Sequence, residues 1–211
     1  MQLYSYFRSS TSFRVRIALN LKGLTYSIIP INLRHQDHLS PSYLAINPQG
    51  IVPTLIDQGR TLTQSLAILE YLEEHYPNPA LLPSDPFNRA EVRSVAHLIG
   101  CDIHPLNNLK VLMFLESRYG LNDDQKSQWY HHWIHHRFHP LEQLLLRTSG
   151  HFCFSNQISL ADVCLIPQVY NAIRFQVDLT PYPTISSIYS HCLTLPSFIH
   201  ALPEHQTDWQ E

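Results

Sequence analysis

The sequence predicts an α/β layer domain built on a mixed four-stranded sheet, followed by an all-helical domain. Two observations carry this. Over about the first eighty residues, short alternating strands and one-sided helical patterns take turns. After a proline cluster running from Pro77 to Pro86 the strand signal ends, and apolar residues recur only at threes and fours.

The elements follow in order. Leu3–Phe7 alternates aromatic and polar residues and reads as a strand. It empties into Ser9-Ser10-Thr11-Ser12, four hydroxyls in a row. A helix over Thr11–Lys22 then turns Ile17, Ala18 and Leu21 inward and stops at Gly23. Ser and Thr at such a strand-to-helix turn satisfy orphan backbone N–H groups. The same turn is positive and rich in donors, so it also suits an anion such as a thiolate. Tyr26–Ile31 reads as the second strand, and the polar, His-rich loop from Asn32 to Ser42 as a mobile lid. Thr54–Asp57 and Thr61–Leu62 flank Gln58-Gly59 as a hairpin. Ser65–His75 is a helix with Leu66, Leu69 and Leu72 on one face.

The proline cluster is the linker, which puts the sheet domain at residues 1–82 and the helical domain at 88–211. In the latter, Val92, Val95, Ala96, Ile99, Ile103 and Leu106 form one helical stripe, and Tyr130, Ile134, Phe138, Leu141 and Leu145 another. Pro105, Pro140 and Pro167 fall inside such patterns, where each should kink a helix or mark its first turn. Ser159-Leu160-Ala161-Asp162 is a capping box, a folding signal, with Ile158 placed to staple onto Val163.

Composition narrows the function classes. With 211 residues and 44% hydrophobic content the chain can bury a substantial core. A net charge of −3 gives no footprint for nucleic acid or an anionic membrane. No signal-peptide pattern or bilayer-length apolar run is present, so a cytoplasmic protein is expected. Cys101, Cys153, Cys164 and Cys192 lie far apart and fit reduced, mostly buried thiols.

Several constellations could carry chemistry. A proline in Val52-Pro53-Thr54 interrupts a ladder donor at the third strand. The tripeptide alone reads as an ordinary trans bond, whereas a cis bond would turn the chain and free the Val52 backbone for a ligand. Gln64-Ser65 opens a helix as a cap. Beside the hydroxyl turn and Val52-Pro53 on one sheet edge, it becomes the third side of a small anionic-peptide site. Asp102, His104, Asn107, Asn108 and Lys110 make a polar stripe that suggests a pocket wall. Arg174 is either a solvated charge or a bidentate carboxylate clamp. In His131–His139 several pairs have i,i+4 spacing, yet the run holds no Cys and its nearest acid is Glu142, so no functional metal site is expected. Neither a phosphate-binding Gly-rich loop nor a G-x-S-x-G elbow is present.

Taken together, these stretches resemble the zeta class of glutathione transferases, the group of maleylacetoacetate and bacterial maleylpyruvate isomerases. The resemblance rests on Leu3–Ser10, Arg14–Leu19, Pro53-Thr54-Leu55, Gln64–Ile68 and Ser159–Gln168, and above all on Asp178-Leu179-Thr180-Pro181-Tyr182-Pro183-Thr184-Ile185. It implies a thioredoxin-like first domain that binds glutathione, an all-helical second domain, and a homodimer. Ser9, Ser10 and Thr11 would approach the glutathione sulfur, with Arg174 joining them as catalytic residues. Val52 would pair its backbone with the cysteinyl part, and Gln64 with Ser65 would hold the γ-glutamyl end. His38 on the lid and His104, with Asp102 and Asn108 on the helical wall, complete the cofactor set near the glycyl end or the partner subunit. Arg8, Lys110 and Arg174 would face substrate carboxylates.

One departure stands out: many members have Cys and Trp where this chain has Thr11 and Phe13. The activity implied is glutathione-dependent cis–trans isomerisation of maleylacetoacetate, in tyrosine and phenylalanine catabolism. Maleylpyruvate isomerisation, a general glutathione transferase or α-halo-acid dehalogenase, and a non-catalytic glutathione-binding protein are the alternatives.

Overall fold

A computed structural model describes residues 1–209, and the chain divides into two compact units. The first comprises Met1–Leu81 together with the C-terminal segment from Leu193; the second is Leu82–Cys192.

In the first unit, β1 (Gln2–Ser5) leads into α1 (Ser10–Leu21), and β2 (Ser27–Pro30) follows. A short helix α2 (Pro41–Leu44) precedes β3 (Thr54–Asp57), β4 (Arg60–Thr63) and α3 (Ser65–His75). The sheet order is β2-β1-β3-β4. Leu3 sits opposite Ile28 in a parallel pair and opposite Leu55 in an antiparallel one, and Leu55 faces Leu62 across the hairpin. The sheet is therefore mixed, as the alternation of elements predicts. β1 ends at Ser5, short of the predicted Phe7, because Ser9 N–H donates to Tyr6 C=O at 2.9 Å and closes a turn there.

α1 is buried on nearly every side: Phe13, Val15, Ile17, Ala18 and Leu19 lie in the core, and so do Arg14 and Arg16. Leu21, expected to face inward, is only half-buried. α1 packs against α3. Below them Lys22 Nζ contacts Glu73 Oε2 at 2.9 Å and the carbonyls of Tyr76 and Pro79 at 2.7 and 3.0 Å. Glu73 in turn accepts from Leu81 N–H at 3.0 Å. This buried pair is satisfied on both sides and holds the proline-rich segment against the unit.

The second unit is helical: α4 (Pro86–His97), α5 (Leu109–Tyr119), α6 (Asp123–Thr148), α7 (Leu160–Arg174) and α8 (Pro183–Cys192). α4 runs into a π-helical turn, Leu98–Ile103, and the chain breaks before α5, where Pro105 removes a donor. Pro140 and Pro167 lie inside α6 and α7, and in neither case in the first turn. The capping box is present: Asp162 Oδ2 accepts from Ser159 N–H at 2.8 Å and Oγ–H at 2.9 Å. Its other oxygen accepts from Cys153 N–H at 2.7 Å. The cysteines are free thiols, with only Cys101 exposed.

The predicted second domain, 88–211, runs past the end of the compact helical unit. The segment from Leu193, which contains α9 (Pro196–Ile199), groups with the first unit, where it packs on α1. No helix among the described residues is long and apolar enough to cross a membrane.

Candidate active site

The first unit gathers the hydroxyl turn, the β3 entry and the start of α3. Ser9 is the N-cap of α1, and its Oγ accepts from Ser12 N–H at 3.2 Å. Thr11 Oγ–H donates to Val52 C=O at 3.0 Å. Because the Thr11 proton is committed there, the 2.8 Å contact between Ser9 Oγ and Thr11 Oγ1 has Ser9 as donor. A directed proton chain results: Ser9 to Thr11 to the Val52 carbonyl. Ser10, the first residue of the helix, stands beside this chain and is buried.

Val52-Pro53 is a cis peptide, against the trans bond that the tripeptide alone suggests. The loop around it is held from α2 and just beyond. Tyr43 O–H donates to Ile51 C=O at 2.6 Å, and Asn47 Nδ2 donates to the same carbonyl at 2.8 Å and to Thr54 Oγ1 at 2.9 Å. Gly50, at φ +58°, makes the close approach possible: a Cβ there would meet Leu39 Cδ2 at 3.2 Å and the His38 carbonyl at 3.3 Å. His38 is thus packed onto the β3 entry, on a lid segment that includes the helical turn Asp37–Leu39. Burial pushes its imidazole below the usual range against the opposing pull of Asp37, and its Nδ1 is buried with no hydrogen-bond partner among the described residues. A buried ring nitrogen of this kind can hydrogen-bond a polar group brought to it.

Gln64, the N-cap of α3, has φ 68° and ψ 114°, a region costly for any residue other than glycine. Its Nε2 donates to Gln49 Oε1 at 2.6 Å, and Gln49 Nε2 donates to Thr63 Oγ1 at 3.1 Å. Gln49 was not singled out from sequence; the Asn47-Pro48-Gln49-Gly50 turn beside Val52-Pro53 is the signal that could have found it. Ser65 is buried and accepts from Arg14 Nη1 at 3.4 Å. The strained N-cap, the exposed amides and the helix start form a donor-rich corner suited to a carboxylate.

In the second unit the polar stripe resolves into two groups. Asp102 reaches Arg137 Nη2 at 3.6 Å, a half-exposed ion pair. His104 Nε2 lies 3.2 Å from Asn108 Nδ2, and Asn108 caps α5 by accepting from Lys110 N–H at 3.1 Å. Residues of α6 tie this turn to the end of α7. Trp129 Nε1 donates to Leu106 C=O at 2.9 Å, and Asn107 Nδ2 to Tyr130 C=O at 3.4 Å. The Tyr130 ring stacks on Phe175 at 3.9 Å, and the Arg174 guanidinium lies over that same ring at 4.8 Å. His131 Nε2–H donates to the Phe175 carbonyl at 2.7 Å. Arg174 itself is exposed, its planar face resting on an aromatic plate. The histidine run is therefore partly structural, with His135 Nδ1 also 2.7 Å from Tyr182 Oη. Among the described residues no group of three or more His, Cys, Asp or Glu is arranged to hold a metal ion.

A family model of the glutathione S-transferase N-terminal domain matches residues 3–80. The maleylacetoacetate isomerase of Pseudomonas aeruginosa is 49% identical over 211 residues, covering 99% of this chain and 98% of that one. The chain belongs to the zeta class of glutathione transferases. Among solved structures, a holo maleylpyruvate isomerase, described as a bacterial glutathione transferase of the zeta class, superposes with a TM-score of 0.98 at 44% identity over the whole of both chains. A maleylacetoacetate isomerase from Methylobacterium extorquens AM1, with bound malonate and glutathione, superposes at 0.96 with 40% identity, again over the whole of both. In this zeta-class chain Thr11 takes the position of the frequent cysteine and uses its hydroxyl on Val52, a bond a thiol makes only weakly.

Proposed function

We propose that this chain is a glutathione-dependent cis–trans isomerase of a maleyl-keto acid, converting maleylacetoacetate to fumarylacetoacetate in tyrosine and phenylalanine catabolism. The observation that carries the reading is the hydroxyl turn: Ser9, Ser10 and Thr11 at the start of α1, tied to Val52, in a chain 49% identical to a maleylacetoacetate isomerase.

The residues fit glutathione. The unmet His38 nitrogen suits its glycyl carboxylate, the Gln64-Ser65 corner its γ-glutamyl end, and the Val52 backbone its cysteinyl amide. Asp102, His104 and Asn108 are proposed to contribute from the helical wall, at the glycyl end or from the partner of a homodimer. Bound glutathione supplies a thiolate that adds reversibly to the cis double bond, which rotates as a single bond before elimination. The α1 terminus and the Ser10 hydroxyl hold negative charge on that sulfur, raising the ionised fraction near neutral pH. Ser9 and Thr11, with their protons committed along the chain to Val52, keep the turn in place. Arg8, Lys110 and Arg174 are the cations proposed for the substrate carboxylates and for the enolate-like charge that develops on the substrate. Four free cysteines suit a reducing, cytoplasmic setting.

Maleylpyruvate isomerisation is the second reading, since a maleylpyruvate isomerase is 44% identical over the whole of both chains. The test follows the ultraviolet absorbance of both maleyl acids with catalytic glutathione. Turnover that requires glutathione without consuming it is expected, and the faster substrate names the reaction. Consumption of glutathione with α-halo acids, and none of this isomerisation, would establish the transferase alternative instead. Binding without turnover of any of these would leave a glutathione-binding protein.

A further inference from the structure

The backbone of Phe7, which immediately precedes Arg8 in the hydroxyl turn, is held from outside its own segment at both polar groups. Its N–H donates to Asp208 Oδ2 at 3.0 Å, and its carbonyl accepts from Arg16 Nη2 at 3.1 Å. Arg16 is fully buried; its Nε donates to Ala201 C=O at 3.0 Å and its Nη1 to Ser5 Oγ at 3.1 Å. One planar guanidinium thus joins the C-terminal segment to both ends of the strand exit, which a lysine could not do. Further along, Asn20 Nδ2 donates to Ser197 C=O at 3.0 Å. Gln206 Nε2 donates to the carbonyls of His200 and Leu202 at 2.9 and 2.8 Å, folding the segment so that Asp208 reaches the turn.

The need for such a partner is physical. β1 has ended at Ser5, so the Phe7 amide has no ladder acceptor, and Phe7 is only 2% exposed. A buried N–H must be paired. The next residue, Arg8, lays its guanidinium over the Phe7 ring at 5.0 Å, and Ser9 closes the turn on Tyr6. Whatever fixes Phe7 therefore fixes both.

We infer that the segment Leu193–Asp208 is a strap that sets Arg8 and Ser9 in place, with Asp208 as a positioning residue through its acceptor oxygen at Phe7 N–H. The inference rests on the reading of this turn as the glutathione site. Asp208 holds Phe7 N–H through Oδ2 alone, an acceptor that an asparagine side-chain oxygen could also supply.

The test compares wild type, Asp208→Ala, Asp208→Asn and a chain ending at Thr207. The readouts are exchange of the Phe7 amide, the ultraviolet titration of the bound glutathione thiol, isomerase kinetics and Tm. Asp208→Ala and the shortened chain should exchange the Phe7 amide faster and lose about tenfold in kcat/KM for glutathione, the scale of one ordinary hydrogen bond. Their thiol titration should move upward. Asp208→Asn should restore all three. A purely structural role would lower Tm without moving the thiol titration, and would overturn the inference. So would an Asp208→Ala protein that matches wild type, or an Asp208→Asn protein as impaired as Asp208→Ala. If wild type binds glutathione but isomerises nothing, the isomerase reading falls, and the amide exchange and thiol titration still decide the strap.

Discussion

The start of α1 and the end of α7 are helix termini of opposite polarity, and each holds its polar side chains in a different way. At α1 the groups are short hydroxyls, half-buried at Ser9 and Thr11 and buried at Ser10, and aimed by hydrogen bonds that fix the backbone: Ser9 to Thr11 to Val52, and Phe7 between Asp208 and Arg16. At α7 the group is a long, exposed guanidinium aimed by a flat surface, the Phe175 ring stacked on Tyr130. A hydroxyl has one torsion, so its direction follows its Cα. An arginine has four, so it must be buttressed along its plane. The comparison teaches that polar groups at a helix end can be held in two ways, by backbone hydrogen bonds in one unit and by an aromatic plate in the other.

The sharpest way to break that comparison is Arg174→Ala. It should lower kcat/KM for the maleyl acid about 100-fold, the range for losing one group that stabilises developing charge, with glutathione KM unchanged. Lysine at that position should recover only part, having no plane to rest on Phe175. Ser10→Ala comes next, with about a tenfold loss of turnover and an upward move in the titration of bound glutathione, read from thiolate absorbance. If Ser10→Ala and Arg174→Ala both leave turnover untouched, the proposed mechanism is wrong.

Phe175→Leu sharpens the contrast, since it removes the plate and leaves the cation. Substrate KM should rise about threefold, near the worth of an exposed cation–π contact, with the kinetics of glutathione unmoved. Thr11→Val breaks the proton chain to Val52 and should cost about 1 kcal/mol of stability, read as a lower urea midpoint.

The smallest effect concerns pH. Burial, and the neighbouring His131 and His139, hold His135 below its ordinary 6.5 against the pull of Asp178. The unfolded chain therefore takes up that proton first. Stability present above about pH 6.5 is lost as pH falls toward the folded value. The fall in Tm between pH 7.5 and 5.5 should be smaller in His135→Gln, and not abolished, because burial lowers His38 as well.

Much of this molecule was legible in its sequence because the chemistry is short-ranged. Alternation and helical spacing placed the elements in order, since burying one face imposes the period. Ser9 capping α1 and Asp162 closing the box with Ser159 follow from the need to pair the first N–H groups of a helix, a need local to a few residues. The prolines and the resemblance to the zeta class were likewise on the surface of the text.

Tertiary structure decided the rest. Nothing in the order of residues joins Gln64 to Gln49, turns Val52-Pro53 to cis, or draws His131 and His135 inward to Phe175 and Tyr182. Least of all does it bring Asp208 and Ala201 back to the turn at Phe7. Arg14 and Arg16 would pass for solvated charges on a helix, yet both are buried because acceptors from distant segments reach them. A local pattern states which groups a backbone must pair nearby; which remote carbonyl or carboxylate meets a buried donor is settled only when the whole chain has closed around it.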